Sequence, residues 1–322
     1  FKHVEALFSN SQIAELISVC DIVENKALER KKQYEEVIST AEIKVYTDYI
    51  EMLDNEDIDV VSIATESGYH AKHAIDCLNR NKHVLIKKPM ALSVKDADDI
   101  ISLAKEKKKK VCVSHQNRFN PPIQKLRRAI EEGRFGRIIN GTARILWTRD
   151  DNYYKQAPWR GTKALDGGTL MNQCIHNIDL LQWMIGSEVE RIHAERDTFL
   201  RNIEMEDFGA ILIRFKNGSI GIVEGSACVY PQNLEETLSI FGEKGTVVIG
   251  GLAVNEIKTW QFEDKRNYDN EDTGVEIDNV YGKGHTPLYK NFIDAINNNI
   301  EPLINGEEGK KAVEIILKAY ER

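Results

Sequence analysis

Short apolar strands alternate with amphipathic helices over the first third of the chain, and this alternation constrains the fold more than any other feature. The clearest apolar runs are residues 16–23, 58–65, 83–86 and 111–114. Helical patterns precede the runs at 16–23, 83–86 and 111–114, and a further helix from about Lys26 leads to a short strand near residues 44–46. Ser93 with Asp96 forms a capping box for the helix before 111–114. Strands separated by helices require right-handed crossovers, so residues 1–120 are predicted to form a doubly wound parallel sheet.

The pattern changes after Pro121 and Pro122. Several runs that alternate apolar and polar residues follow, separated by turns such as Lys216-Asn217-Gly218. This pattern is typical of antiparallel strands. A helix over residues 169–185 and two C-terminal helices accompany them. We therefore predict a second, α+β domain over residues 121–322, with an open and mostly antiparallel sheet. A chain of 322 residues suits two domains.

Composition excludes several classes of protein. The net charge of −8 disfavours a nucleic-acid surface, and the basic run at residues 105–110 ends a helix, where cations are favourable. No apolar run is long enough to span a bilayer. The five cysteines are scattered, which fits free thiols in a reducing compartment and predicts the cytoplasm. No metal-ligand spacing is present, so no metal is predicted.

A doubly wound domain that binds a dinucleotide usually carries a G-x-G-x-x-G loop after its first strand. That loop is not found here, because the sequence opens inside what reads as the first helix. Roughly 15 to 20 residues of strand and loop would precede it. Asp21 fits the acidic residue that binds the adenosine ribose, which favours NAD over NADP. A solvated carboxylate at a strand end is the equally weighted alternative.

Four segments in order resemble the Gfo/Idh/MocA oxidoreductases. They are Thr-Glu-Ser-Gly-Tyr-His at 65–70, His-Val-Leu-Ile-Lys-Lys-Pro at 83–89, His-Gln-Asn-Arg-Phe-Asn-Pro at 115–121, and the segment 167–179 with its Leu-Met-Asn-Gln-Cys-Ile-His core. The resemblance covers nearly the whole chain and implies a Rossmann-type domain that binds NAD. Segments 159–162 and 302–309 are most similar to a subgroup that acts on nucleotide sugars, whose type member oxidises C3 of UDP-2-acetamido-2-deoxyglucuronate.

The resemblance also implies the roles of individual residues. Lys88 would be the catalytic lysine and His176 its proton partner. The implied cofactor contacts are Asp21, Thr65, His70, Lys88, Gln116, Asn117, Trp159 and Arg160. The implied substrate contacts are Lys88, Arg118, Arg160, Asn172, Gln173 and His176, and Tyr153, Tyr154, His285 and Tyr289 are further candidates for the sugar pocket.

Elementary chemistry explains these residue types. Oxidation of a secondary alcohol needs a base within hydrogen-bond reach of the hydroxyl while hydride leaves the carbon. Burial would lower the pKa of Lys88 and make it such a base. The guanidinium groups of Arg118 and Arg160 suit a carboxylate or phosphate. Asn172, Gln173 and His176 share one helix face, which Asp179 extends, either to orient His176 or to make a structural bond.

Two departures from the family pattern leave alternatives open. Lys87 replaces the usual glutamate, and it should point away from Lys88 on a strand. Asn172 replaces an aspartate, and an amide cannot accept the substrate proton. The chain could therefore oxidise a nucleotide sugar, oxidise a free polyol such as inositol, or bind a dinucleotide without catalysis. The resemblance further implies a homodimer or homotetramer built through the open sheet, with no nucleic-acid or membrane partner.

Overall fold

The computed structural model describes residues 1–271, 273–274 and 282–321. Its helices are α1 (Lys2–Ser9), α2 (Glu24–Glu35), α3 (Tyr49–Asn55), α4 (His70–Asn79), α5 (Val94–Lys107), α6 (Pro121–Glu131), α7 (Asp151–Lys155), α8 (Ile175–Ile185), α9 (His285–Asn297) and α10 (Gly306–Tyr320). Its strands are β1 (Ser18–Cys20), β2 (Lys44–Tyr46), β3 (Val60–Ile63), β4 (His83–Lys87), β5 (Val111–Ser114), β6 (Ile138–Leu146), β7 (Val189–Asp197), β8 (Phe208–Phe215), β9 (Ile220–Ser226), β10 (Glu235–Gly242), β11 (Gly245–Gly250) and β12 (Glu256–Phe262).

The first five strands are all parallel, which confirms the predicted Rossmann-type architecture. They form two separate sheets, β1 with β2 and β3 with β4 and β5. In a doubly wound sheet the first strand lies between the second and the fourth. The break between the two sheets falls between β1 and β3, at the position of that strand. β4 is buried through its centre, as a parallel strand covered on both faces should be.

The second sheet is open and seven-stranded, with the order β12-β11-β10-β6-β9-β8-β7. All its pairs are antiparallel except β6 with β9, so the prediction of a mostly antiparallel sheet is confirmed. Helix α8 covers one face. Glycines permit its close approach: a Cβ at Gly141 would lie 2.7 Å from Leu181, and one at Gly225 would lie 2.5 Å from Cys174 Sγ.

The last two helices return to the first half of the chain. Helix α10 packs so closely on β5 that a Cβ at Gly309 would lie 2.3 Å from Val113, and the Val113 amide donates to Ile304 O over 2.9 Å. Helix α9 reaches α1 through Tyr289, whose hydroxyl lies 2.9 Å from His3 Nδ1. The predicted second domain, residues 121–322, thus contains two helices that pack against the elements of the first.

The sequence missed three elements, α3, α7 and β12, because each is short or follows no clear apolar period. In the part of the chain that the structure describes, no helix is both long and apolar enough to cross a bilayer. All five cysteines are free thiols.

Candidate active site

Lys88 follows directly on β4, at the edge where the carboxyl ends of β3, β4 and β5 meet. Open parallel sheets bind ligands at this edge. A cis peptide bond joins Lys88 to Pro89. His70 fixes this turn from the neighbouring segment, because its Nδ1 lies 2.7 Å from Pro89 O and its Nε2 lies 3.0 Å from Thr65 O. The turn that carries Lys88 is therefore tied to the loop after β3.

The opposite wall is a turn of π-helix, Leu170–Cys174, that leads into α8. Its start depends on Gly168, which has a φ of +94° and no room for a side chain, since a Cβ would lie 2.4 Å from the Glu206 carboxylate. Glu206 accepts a 2.8 Å hydrogen bond from the Leu170 amide at this end. Wide π turns are rare and occur often at functional sites. Here the turn presents the backbone carbonyl and the side chain of Asn172 together.

Lys88 and Asn172 meet across the cleft. Lys88 Nζ donates to Asn172 O and, over 3.2 Å, to Asn172 Oδ1. Burial, and after it the charge of Lys87, lower the pKa of Lys88 to about 7. Lys87 was expected to point away from Lys88 and to perturb it less from the opposite face of the strand. Its charge is nevertheless the largest contribution to the lowered pKa after burial, and a lower pKa yields more neutral amine.

His176 lies one helical turn beyond Asn172 and belongs to the same site. Burial and then the charge of Lys88 hold the pKa of His176 well below its ordinary value, so its ring is neutral at pH 7. Its Nε2 lies 3.5 Å from Gln116 Nε2, and its ring meets the ring of His115 edge-on at 5.6 Å. Among the described residues, His176 Nδ1 is buried without a hydrogen-bond partner. A buried polar atom of this kind is available to a ligand.

A polar chain runs from His176 into the sheet. Gln116 Nε2 donates to Asn117 Oδ1 over 3.4 Å, and Asn117 Nδ2 donates to Glu236 Oε1 over 3.3 Å. Glu236 projects inward from β10, and burial raises the pKa of its carboxyl to about 8. Gln116 thus contacts His176 and Asn117 is turned toward the sheet. The cofactor contacts of both residues stay predictions.

Two arginines flank the side of the site that faces α7. Arg160 Cζ lies 4.0 Å from the ring centroid of Tyr153 and 5.1 Å from that of Trp159, and Arg149 Cζ lies 5.1 Å from the Tyr153 ring. Gln173 links the two sides, since it accepts from Arg149 Nε at 3.1 Å and donates to the Tyr153 hydroxyl at 2.9 Å. Within residues 1–271 and the other described ranges, neither arginine has a carboxylate partner. The wall is therefore cationic.

The chain matches two family models, one for the NAD-binding Rossmann fold of the GFO/IDH/MocA oxidoreductases over residues 2–115 and one for their C-terminal domain over residues 123–248. The chain belongs to this family. It is an NAD-dependent dehydrogenase that acts on CH–OH groups.

Solved structures and curated proteins agree on the family and differ on the substrate. The WlbA dehydrogenase from Bordetella pertussis, in complex with NADH and UDP-GlcNAcA, is 36% identical, with a TM-score of 0.91 over 99% of this chain and 90% of that one. The WlbA dehydrogenase from Chromobacterium violaceum, in complex with the same molecules, is 39% identical, with a TM-score of 0.88 over 99% and 88%. The myo-inositol 2-dehydrogenase of Thermotoga maritima is 24% identical over 92% of this chain and 85% of that protein.

The residues at the sheet edge of this oxidoreductase fit NAD. Asp21 follows β1, and its Oδ1 accepts from the Val23 amide at 2.9 Å, which leaves Oδ2 for a ribose hydroxyl. His115, at the end of β5, is fully buried, and in the described part of the chain neither of its ring nitrogens has a partner. When bound, NAD supplies a nicotinamide ring that accepts hydride. Asp21, Lys88 and Gln116 are the residues that would hold it.

Two sequence predictions for this oxidoreductase need correction. Arg118 is 0% exposed, and each of its three guanidinium nitrogens donates to a carboxylate, with 2.7 and 2.8 Å bonds to Asp179 and a 2.9 Å bond to Glu308. It cannot also hold a substrate, and Asp179 makes the structural bond rather than orienting His176. His70 is also 0% exposed, and both its nitrogens face backbone carbonyls, so it positions a turn and does not contact a cofactor.

Thr65 and Tyr289 make their side-chain bonds to residues other than Lys88 and His176. Thr65 is exposed beside the sheet edge and bonds His73 over 3.2 Å. Tyr289 bonds His3 and, over 2.7 Å, Ser62 on β3, so it joins α9 to the first domain. The contacts of Tyr289 therefore indicate packing between elements rather than a sugar pocket.

Sequence reasoning overlooked Asp166, Arg149 and Glu236. Asp166 is 4% exposed and accepts from Asn172 Nδ2. Asp166 directly precedes the Gly167-Gly168 pair, and this position is the sequence feature that could have indicated its role. Arg149 lies three residues beyond the end of β6 and Glu236 lies on an alternating strand, and nothing in one sequence separates them from ordinary surface charges. In the described ranges, no group of three His, Cys, Asp or Glu side chains could hold a metal ion.

Proposed function

We propose that the protein oxidises a secondary alcohol of a nucleotide sugar with NAD, most specifically at C3 of a UDP-linked acetamido-sugar uronate. The observation that carries the proposal is the state of the Lys88 amine. A neutral amine has two N–H bonds and one lone pair. Asn172 O and Oδ1 are placed to take both N–H bonds, so the lone pair is left for the proton of a substrate hydroxyl. A pKa of about 7 makes the neutral form abundant at physiological pH.

His176 supports Lys88 from the same wall. Gln116 Nε2 can only donate, so the neutral ring accepts at Nε2 and carries its hydrogen on Nδ1, which is free to donate to the oxygen of the same hydroxyl as the proton moves to Lys88. Asn172 holds the amine and takes no part in proton transfer, because an amide is not a base at neutral pH. The replacement of an aspartate by Asn172 is therefore compatible with activity, and the silent-protein alternative loses one of its supports.

The cationic wall favours an anionic substrate over a neutral polyol. Arg149 and Arg160 flank Tyr153 without a carboxylate partner in the described ranges, and Arg160 Nε is buried and unbonded there. Leaving such cations unpaired costs free energy unless a ligand neutralises them. A uronate carboxylate or a diphosphate would do so, whereas inositol would not. The WlbA complexes with UDP-GlcNAcA, at 36% and 39% identity, support the same choice.

The test is NADH formation by the protein with UDP-GlcNAcA, with UDP-GlcNAc, which keeps the diphosphate and lacks the carboxylate, or with myo-inositol. We expect turnover of the uronate alone, with a loss of about 10²- to 10⁴-fold in Lys88→Ala. Arg160→Met should raise the KM for the uronate about tenfold, since a charge-assisted bond contributes roughly 1.5 kcal/mol or more. Arg137→Met is the matched control, because Arg137 is an exposed arginine paired with Glu243 at the far end of β6.

Each alternative has its own outcome. Faster turnover of myo-inositol than of any UDP-sugar would replace the proposal by polyol oxidation, which the 24% identical inositol dehydrogenase favours. Binding of NAD without turnover of any sugar would support the silent protein.

We also propose a homo-oligomer built through the open face of the second sheet. Leu212 on β8 pairs with Ile222 on β9, and they are 47% and 42% exposed. Thr142 and Ser239 continue this uncharged row across β6 and β10. An exposed apolar row on a sheet fits a second sheet packed face to face. Leu212→Glu should shift the protein to monomers in sedimentation, and an unchanged mass would contradict this assembly.

The cytoplasm remains the proposed location. Burial raises the pKa of Cys77, Cys112 and Cys174, so these thiols are unreactive and suited to a reducing compartment. Fractionation of cells that express a tagged chain would test the proposal.

A further inference from the structure

Asp166 holds two parts of the site at once. One carboxylate oxygen, Oδ1, accepts from the side-chain amide of Asn172, and the other, Oδ2, accepts from the backbone amide of Gly161 over 2.6 Å. The residue is 4% exposed, at the end of a tight turn in which its own amide donates to Thr162 O over 3.1 Å. Both contacts use acceptor oxygens, so an ionised carboxylate satisfies them without any other donor.

The first contact decides which end of the Asn172 amide faces Lys88. An asparagine side chain has an oxygen at one end and an NH₂ group at the other. Since Asp166 takes the NH₂ group, the oxygen must turn toward Lys88, where it accepts from the amine at 3.2 Å. The reversed amide would place N–H against N–H at the base and leave the carboxylate without its donor.

The second contact fixes the loop that carries Arg160. Gly161 has a φ of +73°, and a Cβ there would lie 2.6 Å from Ile203, so the backbone passes through a narrow place. Gly161 O also accepts from the amides of Glu204 and Met205, each over 3.1 Å. The carboxylate therefore locks the backbone directly after Arg160, on the cationic wall.

We propose that Asp166 is a positioning residue that couples the catalytic base to the arginine loop, by orienting the Asn172 amide with one oxygen and anchoring Gly161 with the other. The inference rests on the proposed function for the role of Lys88. It adds a third residue to the proton-transfer site, one that touches neither substrate nor cofactor.

The charge of Asp166 also acts on Lys88 directly, since it raises the pKa of the amine against burial. The titratable and charged groups that face Lys88 are Lys87, Arg149, Asp166, Cys174, His176, His115 and Glu236. Asp166 favours the charged amine, whereas Lys87 and Arg149 oppose it. Cys174 stays a neutral thiol, because burial raises its pKa. Removal of the Asp166 charge should therefore lower the pKa of Lys88 further.

The decisive variant is Asp166→Asn, which keeps the size of the side chain. An asparagine at 166 has one oxygen for two donors, so either the Gly161 bond is lost or the Asn172 amide must reverse. We expect the pKa of Lys88 to fall by roughly 1 unit, kcat to fall about 10- to 100-fold, and the KM for the uronate to rise. Glu204→Gln is the matched control, because Glu204 accepts from the Lys163 amide of the same loop over 2.8 Å and makes no bond to Asn172.

The pKa of Lys88 can be measured without any substrate, from the pH dependence of its labelling by acetic anhydride and mass spectrometry. A shift in Asp166→Asn without sugar turnover by the wild-type protein would keep the coupling and reject the proposed function. Wild-type turnover with an unchanged pKa and unchanged kinetics in Asp166→Asn would reject the coupling.

A double exchange, Asp166→Asn with Asn172→Asp, tests the geometry separately. Asn at 166 can accept from Gly161 and donate to Asp at 172, so both original hydrogen bonds are restored with the charge moved beside Lys88. We expect the pKa of Lys88 to rise above that of the single variant and kcat to recover at least tenfold at high pH. A double variant no better than Asp166→Asn would overturn the orientation argument, and it still provides a folded comparison if the single variant is unstable.

Discussion

Two buried charged centres lie within one turn of each other along α8, and they are built on opposite principles. At the first, each of the guanidinium nitrogens of Arg118 has a carboxylate oxygen, from Asp179 or Glu308, within 2.9 Å. At the second, Lys88 is held by Asn172, and within the described ranges His176 Nδ1, both nitrogens of His115 and Glu236 Oε2 are buried without partners.

The difference separates structure from function. Buried polar groups are normally all hydrogen-bonded, because each unsatisfied group costs free energy. The Arg118 centre obeys this rule and ties the segment after β5 to α8 and α10. The Lys88 centre does not obey this rule. Unsatisfied buried groups cost free energy, and proteins keep them mainly at functional sites. Stability should therefore depend on the first centre and suffer from the second.

Arg118→Met should break the first centre and give the largest effect. It leaves Asp179 charged, buried and unpaired, and loss of one partner of a buried pair costs about 3–5 kcal/mol. Urea unfolding measures the free energy of unfolding. Arg127→Met is the matched control, since Arg127 Cζ lies 4.8 Å from the same Trp183 ring that Arg118 meets at 4.7 Å, but pairs with the exposed Glu131. Equal losses in the two variants would contradict the comparison.

Lys88→Met should have the opposite sign at the second centre. The pKa of Lys88 is about 7 in the fold, below its ordinary value, so folding is penalised wherever the unfolded chain keeps its proton. We expect a gain in the free energy of unfolding of roughly 3 kcal/mol at pH 7, after allowance for partial exposure. The gain should be full below pH 7 and vanish as pH rises toward about 10.4. Lys105→Met is the control: Lys105 forms an exposed pair with Glu307, so the free energy of unfolding should change little. A loss of stability in Lys88→Met would contradict the distinction between the Arg118 and Lys88 centres.

The sequence predicted the second centre better than the first. Lys88 and His176 stand in motifs, and the helix at 169–185 follows from its apolar period, so their shared site could be expected. The π turn at Leu170–Cys174 could not, because it depends on Glu206 gripping the Leu170 amide from another segment. Arg118 was assigned to the substrate because its partner Glu308 lies 190 residues away in sequence, where no local pattern shows the pairing.

The packing of the last two helices was equally hard to predict from the sequence. Alternation located most strands to within two residues, yet it gave no information on the return of α9 and α10 to the first domain. That return depends on single close contacts, such as Gly309 against Val113, which only the folded chain displays. Asp166 was missed for a related reason. Its role depends on hydrogen bonds from the Gly161 amide and the Asn172 side chain, and the sequence does not show where either of these groups points.

Glu236→Gln should sharpen the comparison with a smaller effect. Burial raises the pKa of Glu236 to about 8, above its unfolded value, so the folded state is penalised as pH rises from about 4.3 toward 8. Glutamine keeps an acceptor for Asn117 and carries no charge. We expect a gain of about 2 kcal/mol at pH 7 in urea unfolding, absent at pH 4. Glu235→Gln, one residue away on the open face and paired with Arg144, is the control; equal gains would show that burial at 236 is not the cause.

The pH dependence of kcat/KM should report the pKa of Lys88 at the second centre directly, and it is the smallest of the expected effects. Lys88 acts as a base only when neutral, so kcat/KM should rise about tenfold per unit up to pH 7 and level off above it. Burial lowers the pKa of His70 and His115 to about 4, and that of His176 well below its ordinary value. These rings therefore stay neutral over the pH range in which Lys88 titrates, and they add no second pH-dependent change in kcat/KM. The rise of kcat/KM with pH should persist in Glu236→Gln, because Glu236 does not carry the proton. If the rise disappears in that variant, the base is Glu236 on β10 and not Lys88 after β4. The contrast between the paired Arg118 centre and the partly unpaired Lys88 centre would then be wrong.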